Sequence, residues 1–155
     1  YSFIARFDSI GNCIWARRID INSWDICWQI VETRDQGYAM GRYTGLIFGP
    51  VDFLFLKFNN TGELEVAKTI GGAGNDVAFS LIRTQPDGYV MAGHTNSFNG
   101  SYVLMFVRFD STYSYTFTRT IDLPSSSDEY FRTITMGSIN QFLTWALVNE
   151  NMHCL

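Results

Sequence analysis

Residues 53–58 read Phe-Leu-Phe-Leu-Lys-Phe, and this apolar run decides the fold because it returns at a constant spacing. Related runs are Phe-Ile-Ala-Arg-Phe at residues 3–7 and Leu-Met-Phe-Val-Arg-Phe at residues 104–109, each ending 51 residues from the next. The same offset joins further positions: Trp15, Val66 and Phe117, then Ile19, Ile70 and Ile121. A repeat near 50 residues indicates an array of units, none of which buries its apolar face alone.

Each unit contains four strand-like runs separated by turn signals. The strands predicted for the unit 25–75 are 26–33, 38–44, 52–58 and 64–70, and those for the unit 76–127 are 77–84, 89–95, 102–109 and 115–121. Turn sequences such as Asp35-Gln36-Gly37 and Pro86-Asp87-Gly88 separate these runs. Four short strands per 51 residues predict an all-β fold of β-propeller-type blades, each a four-stranded antiparallel sheet.

The two ends of the chain are out of phase with these units. Residues 1–24 supply counterparts of the third and fourth strands of a blade, and residues 128–155 supply counterparts of the first and second. We therefore expect about three blades' worth of sheet, with a half-blade at each end. Because three blades are fewer than known rings contain, the half-blades need partners. Another copy of the chain would give a ring or a filament, and flanking sequence of a longer chain is the alternative.

The middle copy of the repeat contains a sequence pattern that resembles a known family. It reads Gly71-Gly72-Ala73-Gly74-Asn75-Asp76, then Asp87-Gly88-Tyr89, then Ala92-Gly93-His94-Thr95-Asn96-Ser97. This pattern is similar to the β-propeller-like repeats of about 50 residues common in secreted bacterial and protist proteins. The resemblance covers the whole chain and is sharp in the middle copy, since the other linkers lack the glycines. It implies a blade fold, which serves as a scaffold in proteins of many roles.

Composition and motifs exclude several classes of function. The net charge is −4 and the 11 basic residues are spread over the repeats, so we expect no nucleic-acid partner. No run of about 18 apolar residues exists, so no membrane span is expected. His94 and His153 have no Cys, Asp or Glu at metal or catalytic spacing. We therefore predict that the protein is not an enzyme, with no catalytic residue and no cofactor.

A glycine-rich stretch invites a calcium interpretation. Residues 71–79 match the first six positions of the calcium-binding nonapeptide repeat, but the next nine residues do not match. Those sites need stacked tandem copies, so a plain link between blades is favoured and no metal site is predicted. The recurring Asp25, Asp76 and Asp128 agree with this interpretation, because an Asp at a turn accepts hydrogen bonds from backbone N–H groups.

Two sequons and three cysteines bear on the compartment. The N-x-[ST] sequons at Asn59 and Asn99 fall in turn-like stretches where a glycan fits, which favours an extracellular or cell-surface location. The cysteines are Cys13, Cys27 and Cys154, an odd number without metal-ligand spacing. A disulfide between Cys13 and Cys27 is one alternative, and the redox state of all three stays open.

The function that these patterns predict is a non-enzymatic, extracellular structural or assembly repeat glycoprotein. Strand complementation through the half-blades would produce a homo-oligomer or fibril. The residues expected to make the partner contacts are Phe3, Ile4, Phe7, Trp15, Ile19, Tyr130, Phe131, Phe142, Trp145 and Leu147. Trp28, Phe79 and Phe131 are interpreted as one repeated slot that forms a core layer. The alternative function is a carbohydrate- or ligand-binding module, with pockets built from the linkers 20–24, 71–76 and 122–128.

Overall fold

The computed structural model describes residues 2–19, 26–45, 49–85, 88–98, 100–122, 129–137 and 141–148, with the backbone alone described at 2, 26, 129, 130, 145, 147 and 148. Every regular element in these ranges is a β-strand. The strands are β1 Ser2–Phe7, β2 Cys13–Ile19, β3 Ile26–Glu32, β4 Tyr38–Gly45, β5 Val51–Phe58, β6 Leu64–Ile70, β7 Asp76–Thr84, β8 Gly88–Thr95, β9 Val103–Asp110, β10 Tyr115–Ile121, β11 Glu129–Met136 and β12 Phe142–Val148.

The strands form four antiparallel sheets in chain order. The first sheet pairs β1 with β2, the second has the order β3-β4-β5-β6, the third has the order β7-β8-β9-β10, and the fourth pairs β11 with β12. The predicted fold class is therefore confirmed: two four-stranded antiparallel repeats lie between two half-repeats. Among the described residues, tight turns join β1 to β2, β3 to β4, β5 to β6 and β9 to β10, and the second of these was predicted at Asp35-Gln36-Gly37; Pro86 and Asp87 lie outside the described residues.

The repeat of 51 residues is also a repeat of strand register. Phe55 in β5 faces Lys68 in β6, and 51 residues later Phe106 in β9 faces Arg119 in β10. The ladder is irregular at the same place in each copy, directly before the last phenylalanine, as between Lys57 and Phe58. The sequence repeat therefore specifies both the strands and their alignment.

Three apolar clusters hold the sheets together, one at each junction. The cluster between the second and third sheets is the largest, and in it the rings of Phe55 and Phe109 stack with their centroids 4.4 Å apart. Alternate residues of β5 take opposite directions: Phe55 packs towards the third sheet, whereas Leu54 and Leu56 pack towards the first. Both faces of β5 are buried, which explains why its sequence is almost uniformly apolar.

A bulge in each first strand corrects one prediction. Trp28 and Phe79 are the residues skipped by the β3–β4 and β7–β8 ladders, but in β11 the skipped residue is Arg132. Phe131 therefore aligns with Ala78, and the interpretation of Trp28, Phe79 and Phe131 as one slot is wrong. Trp28 is exposed while Phe131 is fully buried, since a bulge turns its residue out of the strand's regular alternation.

Candidate assembly interface

The strand β1 pairs with β2 in the register of a third strand, but no other described strand pairs with its second edge. Ile4 in β1 faces Arg17 in β2, the same rung that Phe55 and Lys68 form between β5 and β6. In both complete sheets the third strand lies between the second and the fourth strands. Among the described strands, β1 is paired on one edge only, and the place of a second strand beside it is open.

The strand β12 has the complementary arrangement. It pairs with β11 around the bulge at Arg132, as β4 pairs with β3 around the bulge at Trp28, so it is a second strand. Within the described part of the chain, the edge on which a third strand would pair is open. Joining β12 to β1 would give the order β11-β12-β1-β2, which reproduces the order of the two complete sheets.

The first sheet exposes a face that its counterparts bury. Phe3 is 72% exposed, whereas Leu54 and Met105, at the same register position in β5 and β9, are 2% and 1% exposed. Phe7 is likewise exposed, and its counterparts Phe58 and Phe109 are buried. This face is directed away from the second sheet, so it corresponds to the side on which a preceding sheet packs in the interior of the stack.

The fourth sheet exposes an apolar side chain, Leu143, on its outer face. Leu143 faces Thr135 as Val90 faces Ile82, and Leu143 is 66% exposed although Val90 is 3% exposed. Val90 is buried against the fourth sheet, so Leu143 corresponds to a residue that the following sheet covers. The outer faces at both ends of the stack thus carry apolar residues whose repeat counterparts are buried, and no sheet of the described residues covers them.

The second sheet is also covered incompletely by the half-sheet before it. Ile30 is about half exposed, while its register counterparts Leu81 and Ile134 are buried against their preceding sheets. A cavity of about 310 Å³ lies beside Ile30, between β1 and β3. Its lining includes Phe3, Trp28 and Met40. This gap lies where the first two strands of a complete first sheet would pack.

The predicted contact residues on the first sheet fall into two groups. Phe3 and Phe7 are exposed, whereas Ile4 and Ile19 are buried against the second sheet. Trp15 is half-buried, and its Nε1 donates a hydrogen bond to the backbone oxygen of Asn60 at 3.2 Å. Ile4, Ile19 and Trp15 therefore attach the first sheet to the second, which leaves Phe3 and Phe7 available to a partner.

The predicted contact residues on the fourth sheet divide in the same way. Phe131 is fully buried beside Phe106, with ring centroids 6.2 Å apart, and Phe142 is partly exposed with its ring 5.6 Å from that of Phe106. Tyr130, Trp145 and Leu147 lie in the β11–β12 ladder, and their side chains are outside the described residues. Sequence reasoning missed Leu143 and Ile30, although their apolar counterparts in the repeat were a signal that could have found them.

The sequon residue Asn59 has a structural role in the β5–β6 turn. Its Oδ1 accepts hydrogen bonds from the backbone N–H groups of Thr61 at 3.0 Å and Glu63 at 2.9 Å. Asp8 and Asp110 occupy the same place in the first and third sheets and make equivalent bonds. The repeat therefore explains a polar Asx-turn residue at position 59 without a glycan. Asn99 is outside the described residues, and glycosylation at both sequons stays a prediction.

A buried lysine joins two hairpins of the second sheet. Lys57 Nζ donates to the carboxylates of Asp35, in the β3–β4 turn, and Glu65, in β6. Burial by itself lowers the pKa of Lys57, but the bonds to the two carboxylates outweigh it and raise the pKa above its ordinary value. Partial burial opposes the effect on Asp35, yet the Lys57 and Thr33 bonds lower the pKa of Asp35. The ion pair therefore stabilises the folded sheet.

Comparisons with known proteins add no relative. No family model matches the chain, and no curated protein is significantly similar to it in sequence. In the described ranges, no helix has the length and apolar character needed to cross a lipid bilayer. Strand register and side-chain exposure are the observations from which we infer function.

Proposed function

We propose that this chain is a non-enzymatic, extracellular structural repeat protein that assembles by strand complementation between copies. The observation that carries the proposal is the complementary pairing of the two terminal sheets: among the described strands, none occupies the second-strand place beside β1 or the third-strand place beside β12. One β12–β1 contact between two copies completes both half-sheets at once. Such strand addition gains main-chain hydrogen bonds along the whole edge.

The exposed apolar side chains support the same contact. In a composite sheet of β11 and β12 from one copy and β1 and β2 from the next, Phe3 and Phe7 would pack on the third sheet of the first copy. Leu143 would pack on the second sheet of the next copy, beside Ile30. Each of these side chains would then have the surroundings that its repeat counterparts have in the interior sheets. The contact is head-to-tail, so it generates a ring or a filament.

The repeat also gives the register of the proposed contact. In the complete sheets, Met40 faces Leu56 and Met91 faces Val107. The equivalent rung of the composite sheet joins Thr144 of one copy to Ala5 of the next. Directly opposed residues of antiparallel strands have Cβ atoms about 4.5–5.5 Å apart, which is near the span of a disulfide bond. The proposed register is therefore accessible to cross-linking.

The test places cysteines at that rung. In a variant with Cys13, Cys27 and Cys154 replaced by serine, we expect Ala5→Cys with Thr144→Cys to form a reducible ladder of covalent oligomers on oxidation. Ala5→Cys with Thr120→Cys, where Thr120 lies exposed in the outer strand β10, is the matched control and should give no ladder. A folded protein in which both pairs cross-link equally, or neither does, contradicts the register.

A second test changes the assembly without new cysteines. Phe3→Lys leaves an exposed residue exposed in the isolated copy but buries an unpaired ammonium in the composite sheet, so the concentration for assembly should rise at least about 100-fold. Ile10→Lys is the control, because Ile10 is an exposed apolar residue of the β1–β2 turn. Sedimentation velocity and negative-stain images report the outcome. A stable monomer of the unaltered chain would favour completion by flanking sequence and overturn assembly between copies.

A further inference from the structure

Asp76, the first residue of β7, is a fully buried carboxylate with one unsatisfied oxygen. Its Oδ2 accepts hydrogen bonds at 2.8 Å from the backbone N–H of Gly72 and from Ser97 Oγ. Its Oδ1 is inaccessible to solvent and has no hydrogen-bond partner. A buried charged oxygen without a partner is costly, and such an atom in a native fold needs an explanation.

A second carboxylate comes to the same place. A Cβ at Gly71 would overlap Asp52 Oδ1 and lie 2.7 Å from Asp76 Oδ2, so both side chains approach one point beside the glycine. Neither carboxylate has a salt-bridge partner among the described residues. Partial burial, together with the charge of Asp76, raises the pKa of Asp52. Two carboxylates of like charge thus meet at the junction of the second and third sheets.

The repeat gives no structural reason for Asp52. Its register counterpart in β9 is Val103, which is buried as an ordinary core residue. A carboxylate in place of an apolar residue, next to another carboxylate, destabilises the junction through charge repulsion, and a bound cation would remove this cost. The placement of Asp52 is therefore an observation separate from the recurring Asp at the start of the first strands.

We infer that Asp52 and Asp76 bind a divalent cation of the Ca²⁺ type at the junction of the second and third sheets. Carboxylate oxygens are the ligands that this hard cation prefers, and a cation would neutralise a buried carboxylate whose Oδ1 has no hydrogen-bond partner. No three His, Cys, Asp or Glu side chains cluster in the described ranges, so backbone carbonyls and water must complete the shell. Two carboxylates match the weak sites of extracellular modules, with Kd about 10⁻⁴–10⁻³ M.

This site differs from the calcium-binding nonapeptide repeat that residues 71–79 partly match. That repeat needs tandem copies to bind the ion, whereas the Asp52–Asp76 site does not. The carboxylates come from two different repeats, and the link around Gly71 and Gly72 brings them together. The cation would then connect two adjacent sheets of one chain. Its binding does not depend on assembly, so it can be tested at one fixed, low protein concentration.

Thermal unfolding of the full chain in EDTA and in Ca²⁺ tests the inference, with equilibrium dialysis as the direct binding measurement. At Ca²⁺ about tenfold above Kd, the Tm should rise by about 3–6 °C. Asp52→Asn should abolish both the shift and the bound Ca²⁺, and it should raise the Tm in EDTA because it removes the repulsion. Asp110→Asn removes one charge from an exposed turn and should keep the full shift.

Two outcomes would overturn the site. One is an unaltered chain whose Tm and dialysis show no response to Ca²⁺. The other is a response that persists in Asp52→Asn, which would place the ion elsewhere. Asp76→Asn separates a purely structural carboxylate from a ligand: lower stability in EDTA with an undiminished Ca²⁺ shift would assign Asp76 to the hydrogen bonds of Gly72 and Ser97 alone.

Discussion

Gln29 and Ser80 occupy the same position in consecutive repeats and are joined by a hydrogen bond across the junction of the second and third sheets. Gln29 Oε1 accepts from Ser80 Oγ at 2.5 Å and from the backbone N–H of Leu81 at 3.1 Å. One amide oxygen therefore satisfies two donors of the neighbouring sheet. The contact connects the two sheets through a polar pair beside Leu81, a residue of the apolar cluster at this junction.

Gln29→Leu should destabilise the chain more than Ser80→Ala does. The leucine leaves the Leu81 N–H and the Ser80 hydroxyl unsatisfied, at a cost of about 1–3 kcal/mol, whereas the alanine removes one donor and costs about 0.5–1.5 kcal/mol. Urea unfolding followed by tryptophan fluorescence measures both values. A larger loss for Ser80→Ala would show that Gln29 is not the common acceptor.

Replacing Lys57 should destabilise the fold less than replacing its two carboxylate partners, Asp35 and Glu65. Lys57→Met leaves Asp35 and Glu65, which are about half exposed and can be hydrated, so the loss should be about 1–2 kcal/mol. Asp35→Asn combined with Glu65→Gln leaves a buried ammonium without an anion, so the loss should be about 2–4 kcal/mol. Equilibrium unfolding of both variants at one pH gives the comparison, and the reverse order would contradict the buried-cation account.

The Asx turns should contribute a part of the acid sensitivity. Hydrogen bonds, chiefly from the Asn12 side chain to Asp8 and from Thr112 to Asp110, lower the pKa of each carboxyl. Their contribution to stability is therefore complete above the unfolded pKa of about 3.9 and is lost as the pH falls through the lower folded values. A variant with Asp8→Asn and Asp110→Asn should show a smaller decrease in stability between pH 5 and pH 2.

Asn59 shows that an asparagine can form this turn, so it is an internal control for the variant with Asp8→Asn and Asp110→Asn. Asn59 keeps the same turn with an amide, so the double variant should fold normally and retain most of its stability at pH 7. The midpoint of urea unfolding, measured across the acid range, reports the difference. An unchanged acid dependence would place the titrating groups elsewhere in the chain.

The two described cysteines should differ in thiol reactivity. Both are free: Cys13 is exposed, and Cys27 is partly buried beside the backbone oxygen of Gln29. Burial raises the pKa of the Cys27 thiol, which decreases its thiolate fraction at neutral pH. Cys13 should therefore react with an aromatic disulfide reagent at least about tenfold faster. Peptide mapping distinguishes the two sites from Cys154, which is outside the described residues, and equal rates would contradict the burial of Cys27.

The strands were predictable from sequence because the same pattern of apolar runs and turn residues occurs in each copy of the repeat. The predicted bounds 64–70 and 115–121 coincide with β6 and β10, since turns with Asx residues delimit both strands. The half-sheets at the ends followed from the phase of the repeat. Local patterns of this kind are strong when each copy is buried in the same way.

The contacts across sheets were not predictable in the same way. Trp28 was expected in the core, but a bulge and the incomplete first sheet leave it exposed. The approach of Asp52 to Asp76 depends on how one sheet is placed on the next, which no single repeat encodes. The division between exposed Phe3 and buried Ile4 also required the structure, because the sequence predicted both residues as partner contacts.

The three junctions between sheets imply that local stability is highest in the middle of the stack and lower at its ends. The apolar cluster between the second and third sheets includes residues of both complete sheets, while each terminal hairpin packs on described residues along one face only. In a linear array, unfolding can begin at either extremity and leave the centre intact. In a single, unassembled copy, amide protons of β1 and β12 should therefore exchange with solvent first, so that the hairpins at the ends can detach and dock repeatedly around a persistent middle.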